Sequence, residues 1–165
     1  MDLKKLVDII HRQEALVRVN HFNNRDALQL GCLAAAEAEQ RGIAVSIAVY
    51  GAAGAAMFLH LMSGTNANNQ LWMERKRGTV AIWEHSSLRA WANELLYGKT
   101  VDVAGLDPAK YVYYGGGFPV FMQTGELVAI LAISGLDHLD DHQFAVDCLA
   151  KWVGIKKVPN VHEAE

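Results

Sequence analysis

Cysteine and charge are both scarce in this chain, and each shortage removes a class of explanation. Its two cysteines, Cys32 and Cys148, stand far apart in apolar, helix-like stretches. They form no disulfide framework, and buried reduced thiols are the expectation. Charged residues make up 20% of the chain, against 52% apolar, and fifteen basic residues are mixed with eighteen acidic ones for a net charge of −3. That balance excludes a nucleic-acid binder working by bulk electrostatics. The N-terminus, Met1-Asp2-Leu3-Lys4-Lys5, enters an amphipathic stretch with no apolar signal core, so a cytoplasmic protein is expected. Gly42 to Met73 contains no Asp, Glu, Lys or Arg, yet Gly51, Gly54, Gly64 and the cluster Thr65-Asn66-Ala67-Asn68-Asn69 interrupt it. No unbroken apolar run reaches the ~20 residues that cross a bilayer, so no membrane span is expected. No repeat, low-complexity tract or linker divides the chain. One domain over residues 1–155 and a mobile tail over 156–165 follow. The surplus of small apolar residues points to surface buried between subunits, and hence to a homo-oligomer.

What is present reads as alternating helices and hairpins. Leu3, Leu6, Val7 and Ile10 recur at helical spacing, and a short β-like piece, Leu16 to Val19, follows. Asn23 or Asn24 caps a second helix that runs to Arg41 and stops at Gly42. Ile43–Tyr50 and Ala55–Leu61 pair around Gly51-Ala52-Ala53-Gly54. The asparagine cluster caps a long helix from about Asn68 to Ser87, continuing as helix through Leu88–Tyr97 to Gly98. Phe118–Gln123 and Glu126–Ser134 form a second hairpin around Thr124-Gly125, and a last helix spans Leu139–Val153. The order is that of an α+β domain, an antiparallel sheet flanked by helices.

Several clusters carry possible chemistry. Gly115-Gly116-Gly117-Phe118-Pro119 fits neither a dinucleotide fingerprint nor a P-loop. Three glycines permit close approach of the backbone, and their N–H groups either form an anion-binding nest or simply close a tight turn. Pro119 fixes the entry to the following strand. In Glu74-Arg75-Lys76-Arg77 the basic residues either form a solvated face or send Arg75 or Lys76 into a pocket to hold a carboxylate. His85-Ser86 lacks a nucleophile elbow, and adjacent residues on a helix rarely face each other. Asp137-His138-Leu139-Asp140-Asp141-His142 spaces two imidazoles four residues apart. The segment reads either as an acidic first turn or as a divalent-metal site of His142 with Asp141 or His138. His60 reads as a histidine on the sheet.

Taken together, the segment Trp72–Ser87, the turn Gly115–Pro119 and Ser134-Gly135-Leu136 with Asp141-His142 resemble the haem-degrading-domain family, in particular the branch related to GlcG-like and HbpS-like proteins. The resemblance implies a profilin-like fold, with helices on an antiparallel sheet of about five strands, and assembly into homo-oligomers. It implies a haem-handling protein with His85 or His142 at the iron. Carried over residue by residue, the pocket comprises Trp72, Arg75, Lys76, His85, Ser86, Gly116, Phe118, Pro119, Asp141 and His142, with His60 nearby. The chain departs from the branch at Asp137-His138, where Pro-Gln is typical. A second reading makes the protein a non-catalytic oligomeric module that holds a small anionic metabolite at the glycine turn with Lys76, or docks a protein partner. Whether it is an enzyme stays open.

Overall fold

Asparagine and aspartate side chains start most of the helices in the computed structural model, which describes residues 1–165. Asp2 caps α1 (Leu3–Leu16), accepting from the N–H groups of Lys4 and Lys5. Asn23 and Asp26 form a reciprocal capping box for α2 (Asn24–Arg41), which ends at Gly42 in the left-handed region. Asn66 and Asn69 do the same for α3 (Ala67–Trp83), so the polar cluster in the charge-free stretch is a helix start. Asp137 caps α5 (His138–Val153), whose first turn carries Asp140 and Asp141.

Strands β1 (Ser46–Gly51), β2 (Ala56–Leu61), β3 (Gly117–Phe121) and β4 (Leu127–Ser134) make one antiparallel sheet in the order β2-β1-β4-β3. Each hairpin is local in sequence. The two join where β1 meets β4, from Ser46 opposite Ser134 to Gly51 opposite Ala129. The two-residue strand period then sorts the side chains. Ile47, Val49, Leu131 and Ile133 face α2 and α5, while Ala48, Tyr50, Ile130 and Ala132 face α3. Ala27, Ala34 and Ala38 of α2 are fully buried, small enough to bring that helix close to the sheet. A second cluster forms at one end from Leu6, Ile9 and Ile10 of α1 with Leu88 and Ala92 of α4 (Ser87–Tyr97).

The α+β class and the profilin-like arrangement hold, with four strands in place of about five. The β-like piece at Leu16–Val19 forms only a single parallel bridge from Val19 to Met122, because α1 extends to Leu16 and leaves too little chain for a strand. The long helix expected through residues 68–97 is two helices. Glu84 takes the left-handed conformation (φ 50°), closing α3 through its N–H to the Val80 carbonyl, and Ser86 starts α4 afresh. Residues 156–165, expected to be a mobile tail, end in a 3-10 turn at Val161–Ala164. Val161 is fully buried there, and the Asp2 N–H donates to the Ala164 carbonyl at 2.7 Å, tying the two ends of the chain together. Of the two cysteines expected to be buried, Cys148 is, and burial pushes its thiol up to about 12. Cys32 lies on the outer face of α2, exposed.

Candidate functional site

Lys76 sits where α3 crosses the C-terminal end of β4 and the start of α5. Its ammonium donates to the Ile133 carbonyl at 2.9 Å and to Asp141 Oδ2 at 2.8 Å, and the two side chains are each only 3% exposed. The other Asp141 oxygen accepts from the Leu136 N–H at 3.0 Å. Burial pushes the Lys76 pKa down and the Asp141 pKa up, while each charge pulls the other back. The expected anion anchor is therefore an internal clasp between helices, its charge already matched.

The glycine turn is shaped by that clasp. Gly116 has φ 116°, and a Cβ there would lie 2.7 Å from Lys76 Nζ and 2.5 Å from the Ile133 oxygen. At Gly115 a Cβ would strike the His138 carbonyl. What the backbone approaches so closely is α3 and α5, and the turn is a seat for helices in place of the expected ligand cradle. Phe118 is fully buried behind it, edge-on to the His142 ring at 5.4 Å between centroids. Pro119 lies on β3 at the edge of the sheet, where no neighbouring strand needs its missing N–H.

His142 and Asp141, expected as metal ligands, serve other partners. His142 is completely buried, and its Nε2 stands 2.9 Å from Gln13 Oε1. The Gln13 amide nitrogen donates to Gln143 Oε1 and to the Pro159 carbonyl, so its oxygen is the acceptor and His142 Nε2 carries the proton. His142 Nδ1 has no partner, and burial pushes the imidazole down to about 3. Asp141 is occupied by Lys76. The His138 ring is packed edge-on against Trp91 and Tyr114, and its Nδ1 accepts from the Gly115 N–H at 3.4 Å. No group of three or more His, Cys, Asp or Glu able to hold a metal ion comes together in the chain. The hollow beside Lys76, between Trp72, Tyr114 and His138, measures about 210 Å³, below the usual size of a ligand site. His60 is exposed on β2.

His85 and Ser86, expected to share this pocket, lie at the α3–α4 junction instead. Ser86 is buried by its capping role: its Oγ accepts from the Arg89 N–H at 3.3 Å, and its own N–H donates to Glu14 Oε1 at 2.8 Å. Glu14 also holds the Arg89 guanidinium at 3.0 Å. The His85 Nδ1 is 2.9 Å from the Ser86 carbonyl. A carbonyl only accepts, so Nδ1 carries the proton and Nε2 presents a lone pair. Burial holds the His85 pKa below its ordinary value, keeping the ring neutral near pH 7.

His85 lines a cavity of about 340 Å³ with Trp83, Ala90, Lys99, Val103 and Tyr113. The Trp83 indole N–H donates to the Tyr113 hydroxyl at 3.0 Å, fixing one wall. Apolar walls, one neutral imidazole and one lysine suit an apolar ligand that carries an electron-accepting centre and a negative group. The sequence marked His85 alone of these residues. Lys99 and Val103 belong to a loop with only turn signals, and nothing in their spacing links them to Trp83. The remaining expected residues, Trp72 and Arg75, line a broader groove of about 870 Å³ on the outer side of α3.

Residues 22–150 match a family model described as haem degrading protein HbpS-like. A UPF0303 protein of Edwardsiella ictaluri is 34% identical over 146 residues, covering 88% of this chain and 92% of that protein. One from Azotobacter vinelandii is 34% identical over 151 residues, with coverage of 91% and 90%. Among solved structures, the Ybr137w protein superposes with a TM-score of 0.83 at 23% identity, covering 92% of this chain and 95% of that one. A PduOC:heme complex superposes at 0.61 and 19% identity, with coverage of 84% and 97%. At these identities the structures establish a shared fold.

Proposed function

The chain belongs to the HbpS-like haem-degrading family, and from that premise we propose that it binds haem, or a closely related tetrapyrrole, in the cavity beside His85. The observation that carries this reading is the 2.9 Å hydrogen bond from His85 Nδ1 to the Ser86 carbonyl. It leaves Nε2 free, the arrangement in which a histidine serves as a metal ligand with its second nitrogen held by the backbone. The donor chemistry fits: a neutral imidazole for the iron, Trp83 and Tyr113 against the ring system, and Lys99 for a carboxylate side chain. At about 340 Å³ the cavity is at the small end of ligand sites, which suits one edge of a flat macrocycle better than the whole of it. Haem bound there would supply a redox-active iron; this chain's residues would supply the His85 imidazole to hold it, apolar walls and one cation. The two unpaired thiols fit a reducing, cytoplasmic setting.

The test is a haem titration of the ligand-free protein followed in the Soret region. A shifted band that saturates at one haem per chain, and is lost in His85→Ala, is expected. No shift at stoichiometric haem, or an unchanged band in His85→Ala, would reject the site.

A second part of the reading concerns assembly. Strand β2 is an edge of the sheet, and its six residues, Ala56-Met57-Phe58-Leu59-His60-Leu61, carry no Asp, Glu, Lys or Arg. Leu59 is 43% exposed. Edge strands that stay unpaired are normally protected by charge or proline. We infer that a second copy of the chain covers this one, giving a homo-oligomer.

A further inference from the structure

The groove on the outer side of α3 is separate from the His85 cavity and is used by neither the clasp nor the proposed haem site. Gly78 sets its floor: a Cβ there would lie 2.5 Å from the Lys110 carbonyl and 3.3 Å from the Tyr111 ring. The loop through residues 108–111 therefore rests directly on the helix. It is pinned there by Thr79 Oγ1, which donates to the Val112 carbonyl at 2.7 Å and accepts from the Val112 N–H at 3.0 Å. Leu71, 58% exposed, and Ile82, 45% exposed, provide apolar walls.

The cations of the groove have no carboxylate partners. The Arg75 guanidinium carbon stands 4.9 Å from the centre of the Trp72 ring, and Trp72 is braced edge-on by Tyr114 at 5.7 Å. Arg75 Nε is buried with no hydrogen-bond partner. Lys110 and Arg77 complete the rim, and none of the three cations is in a salt bridge. The lone carboxylate of the groove, Glu74, accepts from Gln70. The groove thus carries three cations and one anion in a chain whose net charge is −3. A guanidinium held over an aromatic ring, next to exposed apolar walls, is what recognises a planar apolar body with an anionic substituent.

We propose that the α3–Tyr111 groove is a binding site for a small organic anion, a flat apolar molecule bearing a carboxylate or a phosphate, with Arg75 as the principal contact to the charge and Lys110 as the second. The two anionic groups share the same recognition chemistry, and paired probes separate them.

Isothermal titration with 2-naphthoate, 1-naphthyl phosphate and the neutral 2-naphthalenemethanol tests this. At least one anion should bind saturably, about tenfold or more tighter than the neutral probe, and the tighter of the two names the group. Arg75→Gln should weaken that probe by about tenfold, the usual effect of losing one hydrogen bond to a charge. Lys110→Gln, on the exposed loop and harmless to the core, should weaken it several-fold and guards against a folding defect in the first variant. Lys99→Gln, which changes only the His85 cavity, should leave the affinity unchanged. Equal binding of the neutral probe overturns the proposal, as does retained affinity in both groove variants or loss of affinity in Lys99→Gln. Absence of binding by either anion overturns it as well.

Discussion

His142 makes the protein acid-sensitive in a way that can be calculated in advance. Its imidazole titrates near 3 in the folded chain because it is fully buried, against about 6.5 when unfolded. The unfolded state therefore binds one more proton than the native state between those values, and stability falls as pH drops through that window. The slope is about 1.4 kcal/mol per pH unit for that one proton. From above pH 6.5 down to pH 4.5 the loss is about 3 kcal/mol, and it levels off near 5 kcal/mol below pH 3. That is a large share of the 5–15 kcal/mol by which a domain is typically stable. His138 and His85 are also held low by burial and add slope of the same sign. The decisive comparison is urea unfolding of wild type and His142→Gln at pH 7, 6, 5 and 4.5. Glutamine keeps a neutral N–H donor near the Gln13 oxygen but cannot titrate. The variant is expected to be somewhat less stable at pH 7, with a slope shallower by about 1.4 kcal/mol per unit between pH 6 and 4.5. A variant slope equal to that of wild type would show that His142 is not the site of proton uptake.

Lys76→Met leaves the Asp141 carboxylate buried without its counter-charge and should cost about 3–5 kcal/mol in chemical denaturation. Adding Asp141→Asn, which keeps an acceptor for the Leu136 N–H and removes the charge, should recover a good part of that loss; no recovery would mean the pair is not the cause. Leu59→Lys places a cation on the uncharged edge of β2 and should reduce the assembled mass seen by size-exclusion chromatography with light scattering. An unchanged mass would move the interface elsewhere. The haem titration with His85→Ala and the naphthoate series with Arg75→Gln examine the two ligand sites independently.

The elements were largely legible because each rests on local chemistry. Asn23, Asn66 and Asp137 announce helix starts, Gly42 and Gly98 announce ends, and runs of Val and Ile mark the strands. The break at Glu84 was missed because its one local signal, the helix-capping Ser86-Ser87, was read as helix interior. It depends on Ser86 binding Glu14, a residue 72 positions earlier. The packed C-terminus was missed for the same reason, since Val161 gains its burial in a cluster with residues of α1, α4 and α5, all distant in sequence.

The candidate site divides along the same line. Sequence alone determined the kinds of group available: a glycine triplet, a basic run beside Trp72, histidines near both ends of the helical segments, and an uncharged hairpin. The tertiary structure decided which of them meet. It spent Lys76 on Asp141 and the glycines on seating helices, and it sealed His142 in the core. It also left His85 Nε2 and Arg75 Nε without hydrogen-bond partners. The physical reason is that a buried charge or polar group must find its partner wherever the fold brings one, and that partner can be any distance away along the chain.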